Sequence, residues 1–349
     1  MDEQDQNLRL VDPHAAPPDA EAGSDEIVLD ITLRPQHLGD FVGQEQIKQN
    51  LTISIQAAKK RNEPLEHILL YGNPGLGKTT LAHIIAKEMG ASIKVTSGPA
   101  LEKVGDLAAI LSNLQEGEVL FIDEIHRLNK IIEEVMYPAL EDYSLDIVLG
   151  KGPAARTIRM PLNHFTLIGA TTKLSLISGP LRDRFGHTFH LNFYEQADIE
   201  KIIKRNAAIL SMEIDAESIG LISSRARRTP RIANRLLKRV RDVAEVEANG
   251  VVSKAVTSRA LAMLGIDELG LDDVDRRLLS ALIEKFSGGP VGLNTLAASI
   301  GEEMDTLETI YEPFLLQIGF LERTPRGRKA TTIAYQHLGF DAPKIQTLL

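Results

Sequence analysis

One nine-residue stretch constrains this chain more than any other: Gly72-Asn73-Pro74-Gly75-Leu76-Gly77-Lys78-Thr79-Thr80 fits the pattern G-x-x-x-x-G-K-[ST]. With Gly near 7 % of residues in an average protein, a chance match in a chain this long has odds of roughly one in a hundred. The flanks add weight. His67-Ile68-Leu69-Leu70-Tyr71 is a short apolar run suited to a buried parallel strand. After the loop, Leu81, Ile84, Ile85 and Met89 recur at helical spacing until Gly90 supplies a C-cap. Strand, glycine loop and helix N-terminus together form a phosphate cradle, because glycine lets backbone N–H groups converge and the helix dipole favours an anion. Gly75 and Gly77 shape that loop, Lys78 is placed to reach the β and γ phosphates of ATP, and Thr79, followed by Thr80, to offer its hydroxyl to Mg²⁺.

A hydrolytic site needs a second metal anchor and a group that polarises water. Val119-Leu120-Phe121-Ile122-Asp123-Glu124 offers both at the end of an apolar strand: Asp123 for the metal, through water, and Glu124 for the attacking water. Acids also end strands without any such role, and it is the glycine loop upstream that favours the chemical reading. Phe165-Thr166-Leu167-Ile168-Gly169-Ala170-Thr171-Thr172 is a further apolar strand ending in hydroxyls. Placed between the other two, it would bring Thr172 near the γ phosphate. Pro180-Leu181-Arg182-Asp183-Arg184-Phe185 then sets two arginines in one turn, where a guanidinium could serve a neighbouring subunit's nucleotide or simply be solvated.

Charge is distributed unevenly. Of a net −9, residues 1–26 carry −7, with eight acids against Arg9 alone, and that proline-containing, apolar-poor stretch reads as a disordered tail. The absence of cysteine excludes disulfides, thiolate nucleophiles and Cys zinc sites. No apolar run approaches the roughly 18 residues of a membrane span, and the acidic N-terminus is unlike a signal peptide, so a cytoplasmic location is expected.

Strands and helices alternate to about Asn192, and a helical segment follows to about Leu264. Within it, Ile232, Leu236, Leu237, Val240, Val243 and Ala244 share one helical face, with Arg235, Lys238, Arg239 and Arg241 spread over the other. Beyond a Gly265–Gly270 linker, helical patches around Leu278, Leu293–Ala297 and Ile310–Gln317 precede an Arg- and Gly-bearing hairpin, the spacing of a winged helix. That segment, 268–349, has eight Lys or Arg against twelve Asp or Glu, so DNA contact would have to be local. Residues 146–160 read as another hairpin, with Ile147, Leu149, Ile158 and Met160 alternating along its two runs and suited either to the domain's own sheet or to a partner.

Leu33-Arg34-Pro35 with Phe41-Val42-Gly43-Gln44, the glycine loop, Asp123-Glu124-Ile125-His126-Arg127-Leu128, Gly169–Thr172, Pro180–Gly186 and Arg323-Thr324-Pro325-Arg326-Gly327-Arg328 together resemble the AAA+ ATPases, and within them the branch-migration motors of Holliday junctions. The resemblance covers residues 27–349. It implies an α/β fold in three parts after the acidic tail 1–26: a large P-loop AAA+ domain with a parallel sheet at 27–194, a small helical lid at 195–267 and a winged-helix DNA-binding head at 268–349. It implies nucleotide contacts from Leu33, Arg34, Glu141, Asp142, Tyr143 and Tyr194. Thr172 resembles the first sensor, Arg184 an arginine finger acting across a subunit boundary, and Arg231 the second sensor, reaching the γ phosphate from the lid. Arg323 and Arg328 match DNA-contacting arginines. Hairpin 146–160 matches the segment that docks the junction-recognition partner RuvA, and the resemblance further implies a homo-hexameric ring on duplex DNA and a resolving complex with the resolvase RuvC. Lys173 stands where arginine is frequent, which keeps the charge without the fork.

Three other uses of such a core remain open on the residues alone. A clamp-loader subunit would carry a helical collar in place of the winged segment. An initiator-type switch would share the winged helix but hydrolyse slowly. A protein unfoldase would need an aromatic pore loop, and Ser97–Asp106 contains no aromatic residue.

Overall fold

The computed structural model describes residues 32–149 and 156–342, with the side chains of 147–149, 156 and 157 outside the description. The acidic stretch 1–26 and the turn of hairpin 146–160 therefore lie outside the described residues. By its contacts the chain forms two units, residues 1–34 and 35–349. All that follows concerns the second.

Five parallel strands make the main sheet: β1 (Ile68–Tyr71), β2 (Ile93–Ser97), β3 (Val119–Asp123), β6 (Thr166–Thr171) and β7 (His187–His190), in the spatial order β2-β3-β6-β1-β7. The central strands are apolar throughout because helices cover both faces. Every residue of β6 is buried, whereas the edge strand β2 is only half-buried. One core cluster joins Leu51, Ile68, Leu70, Leu81 and Ile85 to Ile203, Leu236 and Val240. A second fills the opposite face around Leu69, Leu107, Ile122, Ile132 and Leu167. The first cluster is continuous from the sheet into the helical segment, so those helices are packed on the large domain by the hydrophobic effect.

Helix α1 (Glu45–Arg61) and helix α2 (Lys78–Met89) flank β1, and α2 ends on Gly90 at φ 72° as the sequence predicts. Helix α3 (Val104–Ser112) and helix α4 (Lys130–Glu141) cover the second face. Strands β4 (Ser144–Leu149) and β5 (Arg156–Pro161) pair antiparallel with Ile147 opposite Ile158 and Leu145 opposite Met160. Leu145 is buried and Met160 packs against the second core, while Ile158 is half exposed (50 %). Met160 is thus partly committed to the domain core, which leaves Ile158 as the more open of the two described apolar side chains on the hairpin. The side chains of Ile147 and Leu149 lie outside the described residues.

The lid contains helices α5 (Gln196–Ile209), α6 (Ala216–Arg225), α7 (Pro230–Glu247) and α8 (Lys254–Met263). Lys238 is buried, not on an open outer face, because α5, α6 and α8 all contact α7. The head has its own core, from Leu271 to Tyr335. It contains helices α9 (Asp273–Glu284) and α10 (Leu293–Ile300), a short helix at Met304–Thr306 leading through a π-helical turn at Leu307–Tyr311 into α11 (Glu312–Gln317), and the wing strands Leu321–Thr324 and Gly327–Ala330.

Candidate nucleotide-binding site

The glycine loop leaves the C-terminal edge of β1 and enters α2, so the backbone N–H groups at the start of α2 face the loop's concavity. Gly75 sits at φ +79°, and a Cβ there would lie 2.9 Å from Arg231 Cβ and 2.9 Å from Thr229 Cγ2. A left-handed backbone and the close approach of α7 both require glycine. Arg231 N donates to Gly75 O at 3.4 Å, so the first turn of the lid helix is seated on the loop. The Tyr194 hydroxyl donates to Leu76 O (3.2 Å) and its amide to Arg228 O (3.0 Å), tying the loop, the strand exit and the lid together. Tyr194 also lines a cleft of about 470 Å³ with Gln44, Asn50, His190, Asn192 and Asp198.

Because β6 lies between β1 and β3, their C-terminal ends converge. Gly72 N donates to Thr171 O (3.2 Å), and the Thr79 hydroxyl donates to Asp123 Oδ2 (3.2 Å). Lys78 Nζ donates to the carbonyls of Gly72 (2.8 Å) and Asn73 (2.9 Å). Thr171 spends its hydroxyl on His126 Nδ1 (2.9 Å) and on the Lys173 amide (2.9 Å), which leaves Thr172 as the half-buried hydroxyl at the mouth of the strand. Glu124 has φ +48° and pairs with Arg127 at 3.1 Å. One site therefore gathers Gly75, Gly77, Lys78, Thr79, Thr80, Asp123, Glu124, Thr172, Tyr194 and Arg231.

Glu141, Asp142, Tyr143 and Arg184 are elsewhere. His67, at the start of β1, hydrogen-bonds Leu140 O (3.1 Å), and Tyr143 packs on His67, His164 and Phe165. Arg184 pairs with Glu141 (3.0 Å), donates to Pro180 O (2.6 Å) and lies 4.3 Å from the Tyr137 ring centroid. These groups sit by the N-terminal edge of the strands. His67 to Gly72 spans about 16 Å at roughly 3.3 Å per residue. They do not line the cradle of their own chain, so a nucleotide contact from Glu141, Asp142 or Tyr143 would be to one held by a neighbouring protomer. Leu33 and Arg34 belong to the other unit.

The metal donor set is a hydroxyl and a carboxylate, hard oxygen ligands suited to Mg²⁺, which keeps waters and takes phosphate oxygens. Among the described residues no group of three or more His, Asp or Glu could hold a metal ion by itself. The Thr79–Asp123 pair thus fits an ion that enters with a triphosphate.

Burial pushes the Lys78 ammonium down to about 8, against the pull of Asp123 and then Glu124. Only the protonated form pairs with phosphate. Above pH 8 binding to the free chain must therefore take up a proton, and ATP affinity is expected to fall by up to about tenfold per pH unit. Titration calorimetry in buffers of different ionisation enthalpy reads that uptake; flat affinity from pH 7 to 10 would contradict it.

Two basic residues, one beside the site and one in the lid, pair with acids of the head. Lys173, next after Thr172, pairs with Asp305 and lies 3.6 Å from Glu308. Arg227, buried in the lid between α6 and α7, pairs with Asp275 and with Asp272 (2.9 Å) and donates to Gly270 O (2.8 Å).

Glycine loop, acidic strand end, sensor-type hydroxyl and lid arginine on a β2-β3-β6-β1-β7 sheet define a P-loop ATPase of the AAA+ class. The family profiles narrow this further: residues 33–191 match the Holliday junction DNA helicase RuvB P-loop domain, 194–267 the RuvB AAA lid domain and 268–339 the RuvB C-terminal winged helix domain. The Holliday junction branch migration complex subunit RuvB of Dehalococcoides mccartyi is 59 % identical over 315 residues, 90 % of each chain. That of Chloroflexus aggregans is 58 % identical over 336 residues, 96 % of this chain and 94 % of its own. The solved Thermotoga maritima RuvB Holliday junction branch migration motor superposes with a TM-score of 0.82 at 50 % identity, covering 89 % of this chain and all of its own. The chain belongs to the RuvB family and binds nucleotide.

Proposed function

We propose that this chain is an Mg²⁺-dependent ATPase that assembles as a homo-hexameric ring and pulls duplex DNA through it, driving branch migration of Holliday junctions in recombination and repair. It works with RuvA at the junction and with RuvC in resolution, in the cytoplasm; among the described residues no helix is long and apolar enough to cross a membrane. Its functional parts are the large domain 27–194, the lid 195–267 and the head 268–349, preceded by the tail 1–26.

The observation that carries this reading is the ion pairing of Lys173 with Asp305 and Glu308. It connects the residue beside the γ-phosphate sensor to the head that would hold DNA, as a motor requires and a nucleotide-binding scaffold does not. In the reaction, Lys78 and the α2 N-terminus bind the phosphates, and Thr79 with Asp123 would hold the metal, which supplies charge neutralisation when bound. Glu124 accepts the proton of the attacking water. Thr172 and Arg231 contact the γ phosphate, so its loss removes a charged anchor between the strand end and the first turn of α7. Arg184 serves the neighbouring protomer.

Dissociation of a synthetic four-way junction tests the reading. ATP-dependent dissociation stimulated by RuvA is expected. ATP turnover without dissociation at any RuvA concentration would leave a clamp-loader or initiator role instead.

The exposed Ile158 is the docking residue we assign for RuvA. Ile158→Asp is expected to abolish RuvA-stimulated dissociation and to leave ATP turnover in the absence of RuvA unchanged. Loss of both activities would identify a damaged core, and loss of neither would remove this hairpin from the interface.

A further inference from the structure

Arg323 and Arg328 are directly opposite each other across the wing strands. Like charges at opposed cross-strand positions repel, so this pairing needs a compensating group. That group is Glu312, which is 2 % exposed. Arg328 donates to it through Nε (2.8 Å to Oε1) and Nη2 (3.0 Å to Oε2). Arg323 does the same through Nη2 (2.8 Å to Oε2) and Nε (3.3 Å to Oε1). Both oxygens of one buried carboxylate thus hold two guanidinium forks. The Nη1 corner of each guanidinium stays outside the pair. Arg323 keeps 54 % of its side chain exposed and Arg328 16 %.

The backbone is arranged for this. Glu312 opens α11 directly after the π-helical turn Leu307–Tyr311. A π turn carries one residue more than an α turn, and one residue is about 100° of helix rotation. A regular helix through 304–317 would aim position 312 away from the wing. The same run carries Asp305 and Glu308, the partners of Lys173.

We propose that Glu312 is the positioning residue of the duplex contact. It fixes the two wing arginines by their Nε–Nη2 edges, so that their Nη1 corners meet a DNA phosphate already oriented. The proposal rests on the reading that the wing binds duplex DNA. It has a sign that simple electrostatics lacks. Arg323, Arg328 and Glu312 sum to +1, and removing the carboxylate raises this to +2. Charge alone therefore predicts tighter binding by a Glu312→Gln variant, whereas loss of positioning predicts weaker binding.

The experiment is the affinity of the full chain for a fluorescent duplex across a salt series, for wild type, Arg323→Ala, Arg328→Ala, Glu312→Gln and Glu312→Asp. Each arginine variant is expected to bind less tightly and to flatten the salt slope by about one. Glu312→Gln is expected to weaken binding about five- to tenfold, in the range of a lost specific contact. Glu312→Asp, with its charge intact and its reach shortened, is expected to fall between Gln and wild type. Equal or tighter binding by Glu312→Gln, with the arginine variants weakened, overturns the positioning role and leaves the wing as the DNA contact. Unchanged binding by both arginine variants overturns the wing reading itself. Should Glu312→Gln unfold the head by circular dichroism, Glu312→Asp decides: weakened binding by a folded protein supports the proposal, and wild-type binding ends it.

Discussion

Arg184→Ala is expected to lower ATP turnover by about 10³- to 10⁵-fold, the range for other arginine fingers, while the variant still binds nucleotide. The magnitude follows from the chemistry: in phosphoryl transfer the protein contributes mainly positioning and charge, and a guanidinium on the transferring group is a large share of both. The trans assignment follows from the position of Arg184. It lies with Glu141 and Tyr137 by the N-terminal edge of the sheet, and the cradle opens at the other edge. If Arg184 touches a γ phosphate, that phosphate belongs to another protomer. Mixing Arg184→Ala subunits with Lys78→Ala subunits is therefore expected to restore part of the turnover. In mixed rings an intact glycine loop from the first variant meets an intact arginine from the second. Steady-state hydrolysis as a function of mixing ratio reads this directly, and a strictly additive, near-zero line at every ratio would sink the shared site.

Which parts of this arrangement could be read from the chain alone follows from how local their causes are. The glycine loop, α2 and its Gly90 cap are set by residues within one strand-turn-helix unit, and their spacing survives in the sequence. That β6 is a central strand was legible because such a strand is buried on both faces and carries an unbroken apolar run, whereas its place between β1 and β3 came only with the fold. The surroundings of Met160 and Lys238 were not legible because periodicity gives a face without saying what covers it. Met160 lies at the hairpin's base against the core, and three helices contact α7 around Lys238. Lys173, Arg227 and Glu312 left no signal of their roles. The partner of Lys173 is 132 residues away and that of Arg227 48, and a lone charge in sequence looks solvated until the fold supplies its counterion. Glu312 is closer to its arginines, but only the π turn before it aims it at them.

Glu124→Gln is expected to lower the hydrolysis step by about 10²- to 10⁴-fold, the usual contribution of a positioned general base, with ATP affinity little changed. Glu124 is a non-glycine residue at φ +48°, a conformation costing about 1 to 3 kcal/mol. Its carboxylate meets Arg127 at 3.1 Å. The amide of glutamine keeps the shape and can still accept from Arg127, so the substitution removes basicity with little else. Single-turnover hydrolysis beside equilibrium nucleotide binding separates the two properties. Near-normal turnover would take Glu124 out of the chemistry and leave the Arg127 pair as its whole purpose. Mixing supplies the contrast with Arg184. If, as proposed, Glu124 acts on the nucleotide held by Lys78 of its own chain, Glu124→Gln and Lys78→Ala subunits each spoil the site they carry, and no combination of the two is expected to recover turnover. Recovery there would mean that Glu124, like Arg184, reaches across the boundary, and the assignment of groups to the two sides of the cleft would have to be redrawn.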